Sequence, residues 1–197
     1  MSTEQEAQIQ RLATQLAEDD LRELVTVFAA ARSAAPQLLW NPNPGQLPAP
    51  QMAPLLATWE AHGGRRQTAH VDPALINELA PIHDWLVHVT VGDAGELTYV
   101  ALGQAVVDLS GSNSTGRTIT ALLALEDANH ADLIFFAAAY GACRSRQQPF
   151  LTFNEAHRLR ARALSRLVVP FWNARGMVSD FLVVISAVGR PDDSTPN

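Results

Sequence analysis

The residues of this chain that invite a chemical reading are concentrated in one loop. Gly111-Ser112-Asn113-Ser114-Thr115-Gly116-Arg117-Thr118 places two glycines around a polar turn and follows them with a cation and a hydroxyl. Between a strand and a helix, that pattern cradles phosphates on opened backbone amides. Val106 to Leu109 offers a strand before the loop and Ile119 to Leu125 a helix after it, so a P-loop-like nucleotide binder is one reading. Two features oppose it. Arg117 stands where such a loop needs Lys, and a planar guanidinium does not replace a compact ammonium there. The loop also follows what reads as an antiparallel hairpin rather than opening a parallel βαβ unit. On the alternative reading Gly111 and Gly116 serve backbone geometry alone, and Arg117 ties the corner down through a carboxylate or a carbonyl.

Other reactive side chains are scattered. His83 and His88 are five apart where a strand is expected, so they point to opposite faces and cannot share a metal from that strand. His130 begins a long helix and could reach a pocket or a cofactor, against the plainer account of an exposed helix-start histidine. His157 sits among Arg158, Arg160 and Arg162, which reads as a solvated loop or, alternatively, an anion or acidic-partner contact. Cys143 is the single cysteine; without an activating neighbour it reads as a packed thiol. No Ser occupies a G-x-S-x-G elbow, so no Ser-His-Asp arrangement can be argued. No metal site and no cofactor is required by these residues.

Composition narrows the classes further. A chain of 197 residues can bury one real core. The net charge is −6 and all fourteen basic residues are Arg, which leaves no basic footprint for nucleic acid. A lone cysteine excludes a disulfide framework and suits a reducing interior. The opening MSTEQEAQIQRL has neither the basic nor the apolar region of a signal peptide. No apolar run approaches the ~18 residues of a membrane span. A cytoplasmic protein without membrane or nucleic-acid partners is expected.

The elements that must position these residues follow from period and punctuation. Thr3 and Glu6 have capping-box spacing, and Ile9, Leu12 and Leu16 recur at helical spacing. Asp20, as a cap, restarts a helix carrying Leu21, Leu24, Val25 and Phe28. This 1–35 segment is a helical extension, laid on its own domain or used to dimerise. Six of the twelve prolines fall between Pro36 and Pro54, which excludes continuous helix or sheet and makes 36–56 a linker or an irregular wrap. Short helices follow at Leu55 to His62, stopped by Gly63-Gly64, and after Asp72-Pro73.

From Asp84 the period becomes 2, with Trp85, Val87, Val89 and Val91 on one side of a strand. Gly92-Asp93-Ala94-Gly95 turns the chain into a returning strand, Leu97 to Leu102. A broadly apolar helix spans about Ala128 to Arg146. Phe150 to Asn154, Leu164 to Trp172 and Met177 to Val188 read as three closing strands, the last two a hairpin about Asn173 to Gly176. Because those two are apolar on both faces, both must be covered: one by the long helix, the other by the N-terminal helix or a second subunit. The tail, 190–197, is polar and expected to be disordered.

Two strands, short helices, a long helix and three strands describe an α+β fold with a five-stranded antiparallel sheet and a long helix across one face. That order resembles the PAS fold. Trp59, Asp72-Pro73, Tyr99 to Gly103, the Gly111 to Arg117 loop, Tyr140, Pro149, Arg166-Leu-Val-Val-Pro170 and Gly176 together are similar to small bacterial stand-alone PAS-like proteins, over roughly 57–189. The resemblance implies a non-enzymatic sensory or protein-interaction module, with output through a partner such as a histidine kinase or another signalling protein; a homodimer through the N-terminal helix and the outer sheet face is expected. It also implies a small-molecule pocket between long helix and sheet. Tyr99, Phe136, Tyr140 and His130 are its candidate lining residues, with core packing as the competing account. The flavin-binding N-C-R-F-L-Q sequence is missing before the long helix, and a haem would depend on His130. A small-molecule enzyme of another α+β class is the alternative.

Overall fold

Apolar residues three and four apart mark the N-terminal helices, and apolar runs buried on both faces mark the two longest strands. A computed structural model describes residues 3–125, 130–155 and 163–188. Helices α1 (Thr3–Ala17) and α2 (Arg22–Ala30) open it. Strand β1 (Gln37–Trp40), helix α3 (Met52–Ala61) and the short α4 (Pro73–Glu78) follow. Strands β2 (Leu86–Val91) and β3 (Leu97–Leu102) form a hairpin, and the short helices α5 (Gln104–Ser110) and α6 (Ile119–Leu123) lead to the long α7 (His130–Arg146). Strands β4 (Phe150–Glu155), β5 (Ala163–Trp172) and β6 (Val178–Val188) close the fold. The Arg cluster around His157 and the tail lie outside the described residues.

Among the described residues six strands form one antiparallel sheet, in the order β1-β4-β5-β6-β2-β3. The architecture is α+β, with one strand more than expected. The extra strand arises inside the Pro-rich segment, where Gln37-Leu38-Leu39-Trp40 lies free of proline. It pairs with β4 from Gln37 opposite Phe153 to Trp40 opposite Phe150, and the Asn41 amide extends the ladder to the Pro149 carbonyl at 2.7 Å. An edge strand needs partners on one side only, so flanking prolines do not forbid it.

The cover of the two sheet faces also differs from expectation. Register places Trp40, Phe150, Thr152, Arg166, Val168, Phe181 and Tyr99 on one face. Helix α7 crosses this face, with the Tyr140 ring 4.8 Å from Phe181 and 6.4 Å from Phe150. Helix α1 packs in turn on α7: Leu12 and Leu16 are fully buried, and a Cβ at Gly141 would come within 3.0 Å of the Ala13 Cβ. Arg146, at the end of α7, donates to the Ala17 carbonyl at 3.2 Å, pairs with Asp19 at 2.9 Å and stacks over Trp40 at 4.7 Å. The apolar stripe of the N-terminal helix is therefore satisfied within its own chain.

The opposite face, with Leu167, Val169, Phe171, Leu182 and Val184 buried, meets α3. Trp59 donates its indole N–H to the Pro170 carbonyl at 2.7 Å and stacks on Trp172 at 6.5 Å between centroids. The Trp172 amide bonds the Ala69 carbonyl at 2.8 Å. A side chain at Gly64 would run into the Trp59 ring, so glycine is what lets the indole lie flat there. Helix α3 and the chain around Ala69 lie on this face, whereas the N-terminal helix, expected here, packs on α7. One apolar cluster runs from Leu12 to Val184.

Start signals hold in part. Asp72 caps α4 by accepting from the Leu75 amide at 2.8 Å. Asp20 does not cap: α2 begins after Leu21 with no side-chain cap. Its carboxylate instead accepts from the Arg22 amide at 3.0 Å and grips the Arg22 guanidinium at 2.6 Å.

Candidate site between the long helix and the sheet

Arg166 is the charged side chain that β5 turns toward α7. It is buried, and its guanidinium carbon lies 4.1 Å from the centre of the Phe136 ring. Nη1 donates to Asn154 Oδ1 at 2.8 Å, its one hydrogen bond among the described residues. Burial pushes its pKa down, while the charges of Asp132, Tyr99 and Tyr140 act the other way. Asp132, Phe136 and Tyr140 are spaced four apart on α7 and so share the helix face turned to the sheet. Opposite Arg166 in the ladder stands Thr152, fully buried, with no hydrogen-bond partner for its Oγ1.

Of the residues singled out from sequence, Phe136 stacks on this cation, and Tyr99 and Tyr140, on the same side of the sheet, feel its charge. Burial raises the Tyr99 hydroxyl, opposed by Arg166. Burial raises Tyr140 well above the usual phenol range, with the charge of Tyr99 adding to it. Both phenols stay protonated at neutral pH and remain donors. His130 is exposed, and its Nε2 bonds the Leu123 carbonyl at 3.0 Å, tying α7 to α6. Cys143 is buried, its thiol raised well above normal by desolvation and donated to the Gln148 carbonyl at 3.0 Å.

The glycine loop is not built for phosphate. Val106 to Leu109 is part of helix α5, not a strand. Gly111 closes that helix in the left-handed region (φ +72°), where its amide bonds Val107. Gly116 (φ +80°) turns its amide to the Tyr99 carbonyl at 2.7 Å, and the Tyr99 amide bonds the Arg117 carbonyl at 3.0 Å. Thr118 then caps α6 through the Ala121 amide at 3.0 Å. The corner is thus tied down by backbone. The Arg117 side chain is exposed and makes no hydrogen bond or ion pair among the described residues, contrary to the expected side-chain tie.

His83 is exposed, whereas His88 bonds Asp180 at 2.8 Å on the α3 side of the sheet. Among the described residues no group of three His, Cys, Asp or Glu could hold a metal, and no helix is long and apolar enough to cross a membrane. An open groove of about 630 Å³ lies at the β5–β6 turn, lined by Gln67, His70, Trp172 and Asp180 among others. It is on the far side of the sheet from Arg166.

Sequence reasoning missed Arg166 as a site residue. The signal was present: Leu164-Ser165-Arg166-Leu167-Val168-Val169 puts a cation in phase with apolar neighbours on a strand covered from both sides.

No family profile and no curated protein matches the chain. Among solved structures, the chain is similar to an RNA-binding light-oxygen-voltage receptor at 16% identity and a TM-score of 0.39. The match covers 92% of this chain and 53% of the receptor chain, so this chain spans about half the receptor's length.

Proposed function

We propose that the chain is a non-enzymatic PAS-type sensory or protein-interaction module that binds a small molecule between α7 and the sheet and passes the signal to a partner. The observation that carries this reading is a buried cation, Arg166, set with Asn154 and Thr152 among apolar and aromatic side chains. A few polar groups set in an apolar site are what orient a bound small molecule. Catalysis is the weaker reading, because burial pushes the phenols of Tyr99 and Tyr140 and the thiol of Cys143 away from neutrality. Acid–base and nucleophilic work need the opposite shift.

Native mass spectrometry and an absorption spectrum of freshly purified protein test the proposal. The expected result is a retained small molecule that is released unaltered. A bare mass, together with no rise in melting temperature across a metabolite library, would remove it, and release of a chemically altered compound would favour the enzyme reading. Output through a homodimer, a histidine kinase or another signalling protein has a surface to use: α2 and the residue before it leave Val25 and Leu21 exposed. Light scattering on the full chain and on a Val25→Asp variant tests self-association. A monomer in both excludes the homodimer.

A further inference from the structure

We infer that Arg166 anchors a small organic carboxylate, with the body of the ligand lying along Phe136 and Tyr140. The inference deepens the sensory reading and rests on it.

Three observations point to an anion. First, Arg166 spends one of its five N–H donors on Asn154 and stacks on Phe136, and it has no other hydrogen bond among the described residues. A guanidinium taken out of water with donors to spare is costly unless a charged acceptor completes it. Second, Thr152 shares its strand register and its sheet face with Arg166, is fully buried, and has a hydroxyl without a partner. Buried hydroxyls are rarely left so. A carboxylate bound to the fork of Arg166 would give that hydroxyl an acceptor. Third, Tyr99 and Tyr140 each feel the charge of Arg166, and Tyr140 feels that of Tyr99, so their phenols lie within electrostatic reach of the same cation. Both are donors, which suits an acceptor-rich ligand and not a cationic one.

The same groups choose among anions. Arg166 is the cation that acts on both tyrosines, and Asp132 already acts on Arg166 through space. A phosphate dianion would meet one cation and that acidic field, whereas a monocarboxylate adds a single charge. The planar fork of Arg matches a carboxylate bidentately. The flanking rings of Phe136 and Tyr140 supply apolar contact for an aromatic or branched body.

Calorimetry on the full chain, with benzoate, benzamide and inorganic phosphate as probes, tests the inference. Benzoate should bind and benzamide, its neutral isostere, should not. Arg166→Met keeps the length and apolar stem while removing the charge, and should weaken benzoate by about tenfold or more, the range for a charge-assisted hydrogen bond. The variant also loses the hydrogen bond to Asn154, so a thermal melt is run beside the titration, and binding lost while the protein remains folded at the assay temperature is not loss of fold. Thr152→Val should weaken benzoate by several-fold. Equal binding of benzamide, undiminished binding in Arg166→Met, phosphate binding as tight as benzoate, or no binding of benzoate at millimolar concentration would each overturn the carboxylate anchor. A neutral compound retained on purification in that case would leave the sensory reading intact, and the absence of any retained or stabilising compound would remove both.

Discussion

Replacing Leu12 by Ala tests whether the N-terminal helix belongs to this domain. Leu12 and Leu16 are fully buried, and α1 reaches the rest of the fold chiefly through α7. Leu→Ala at a site that cannot collapse costs about 2.7–5 kcal/mol, the transfer of the lost methyls plus the cavity left behind. The close approach of Ala13 to Gly141 holds the helices in register, so α1 has little freedom to settle into the gap and a loss of about 3 kcal/mol is expected. For a chain of this size each kcal/mol moves the melting temperature by about 2–4 °C, so a fall of roughly 6–12 °C should appear. A helix resting loosely on the surface would lose less than about 0.5 kcal/mol. Thermal melts followed by circular dichroism, at two protein concentrations well apart, decide the case. An intramolecular contact predicts the same fall at both. A fall within about 2 °C of zero, or one that grows on dilution as it would for a helix exchanged between subunits, refutes the assignment.

Three further outcomes follow from named contacts. Trp59→Phe keeps much of the ring but strands the Pro170 carbonyl, so urea unfolding should show a loss of about 1–3 kcal/mol. The Arg22 guanidinium and amide hold the partly buried carboxyl of Asp20 down to about 2 from 3.8. A depressed carboxylate stabilises the fold above its unfolded pKa and loses that contribution as pH falls through about 2. A carbon-detected NMR titration should place the midpoint near 2 and move it up toward 3.8 in Arg22→Ala, and high salt should shift it the same way. Cys143 is buried, with its thiol pushed well up. A disulfide reagent should therefore label it at the rate of global unfolding, and labelling in the native state at the rate of a free thiol would contradict the packing of α7.

Much of the frame was legible because period and punctuation are local. Val87 and Val89 alternate, Gly92 to Gly95 turns, and Asp72-Pro73 starts a helix, each through backbone preferences that operate over a few residues. The misses were non-local. Strand β1 exists because β4 offers a free edge to four residues that carry no strong strand signal of their own. Whether Leu12 and Leu16 would meet α7 or another chain was open in the sequence, since an amphipathic stripe states that it will be covered and not by what. The Gly111 to Thr118 loop resembled a phosphate cradle because amide direction is invisible in a string of residues. In the fold those amides are taken up by Tyr99 and Val107.

The candidate site divides in the same way. Tyr99, Phe136 and Tyr140 could be chosen as residues facing a layer between helix and sheet, because side-chain direction follows from the period of each element. Their placement within reach of the charge of Arg166, the pairing of Arg166 with Asn154 and the stranded hydroxyl of Thr152 depend on strand order, register and the seat of α7, which bring together positions from β3, β4, β5 and one helix. By itself the sequence determined the elements, their order and which faces had to be buried, since these follow from local backbone preference and apolar period. Only the tertiary structure decided what buries them and which charge is shut inside, since burial and electrostatic reach are properties of neighbours distant along the chain.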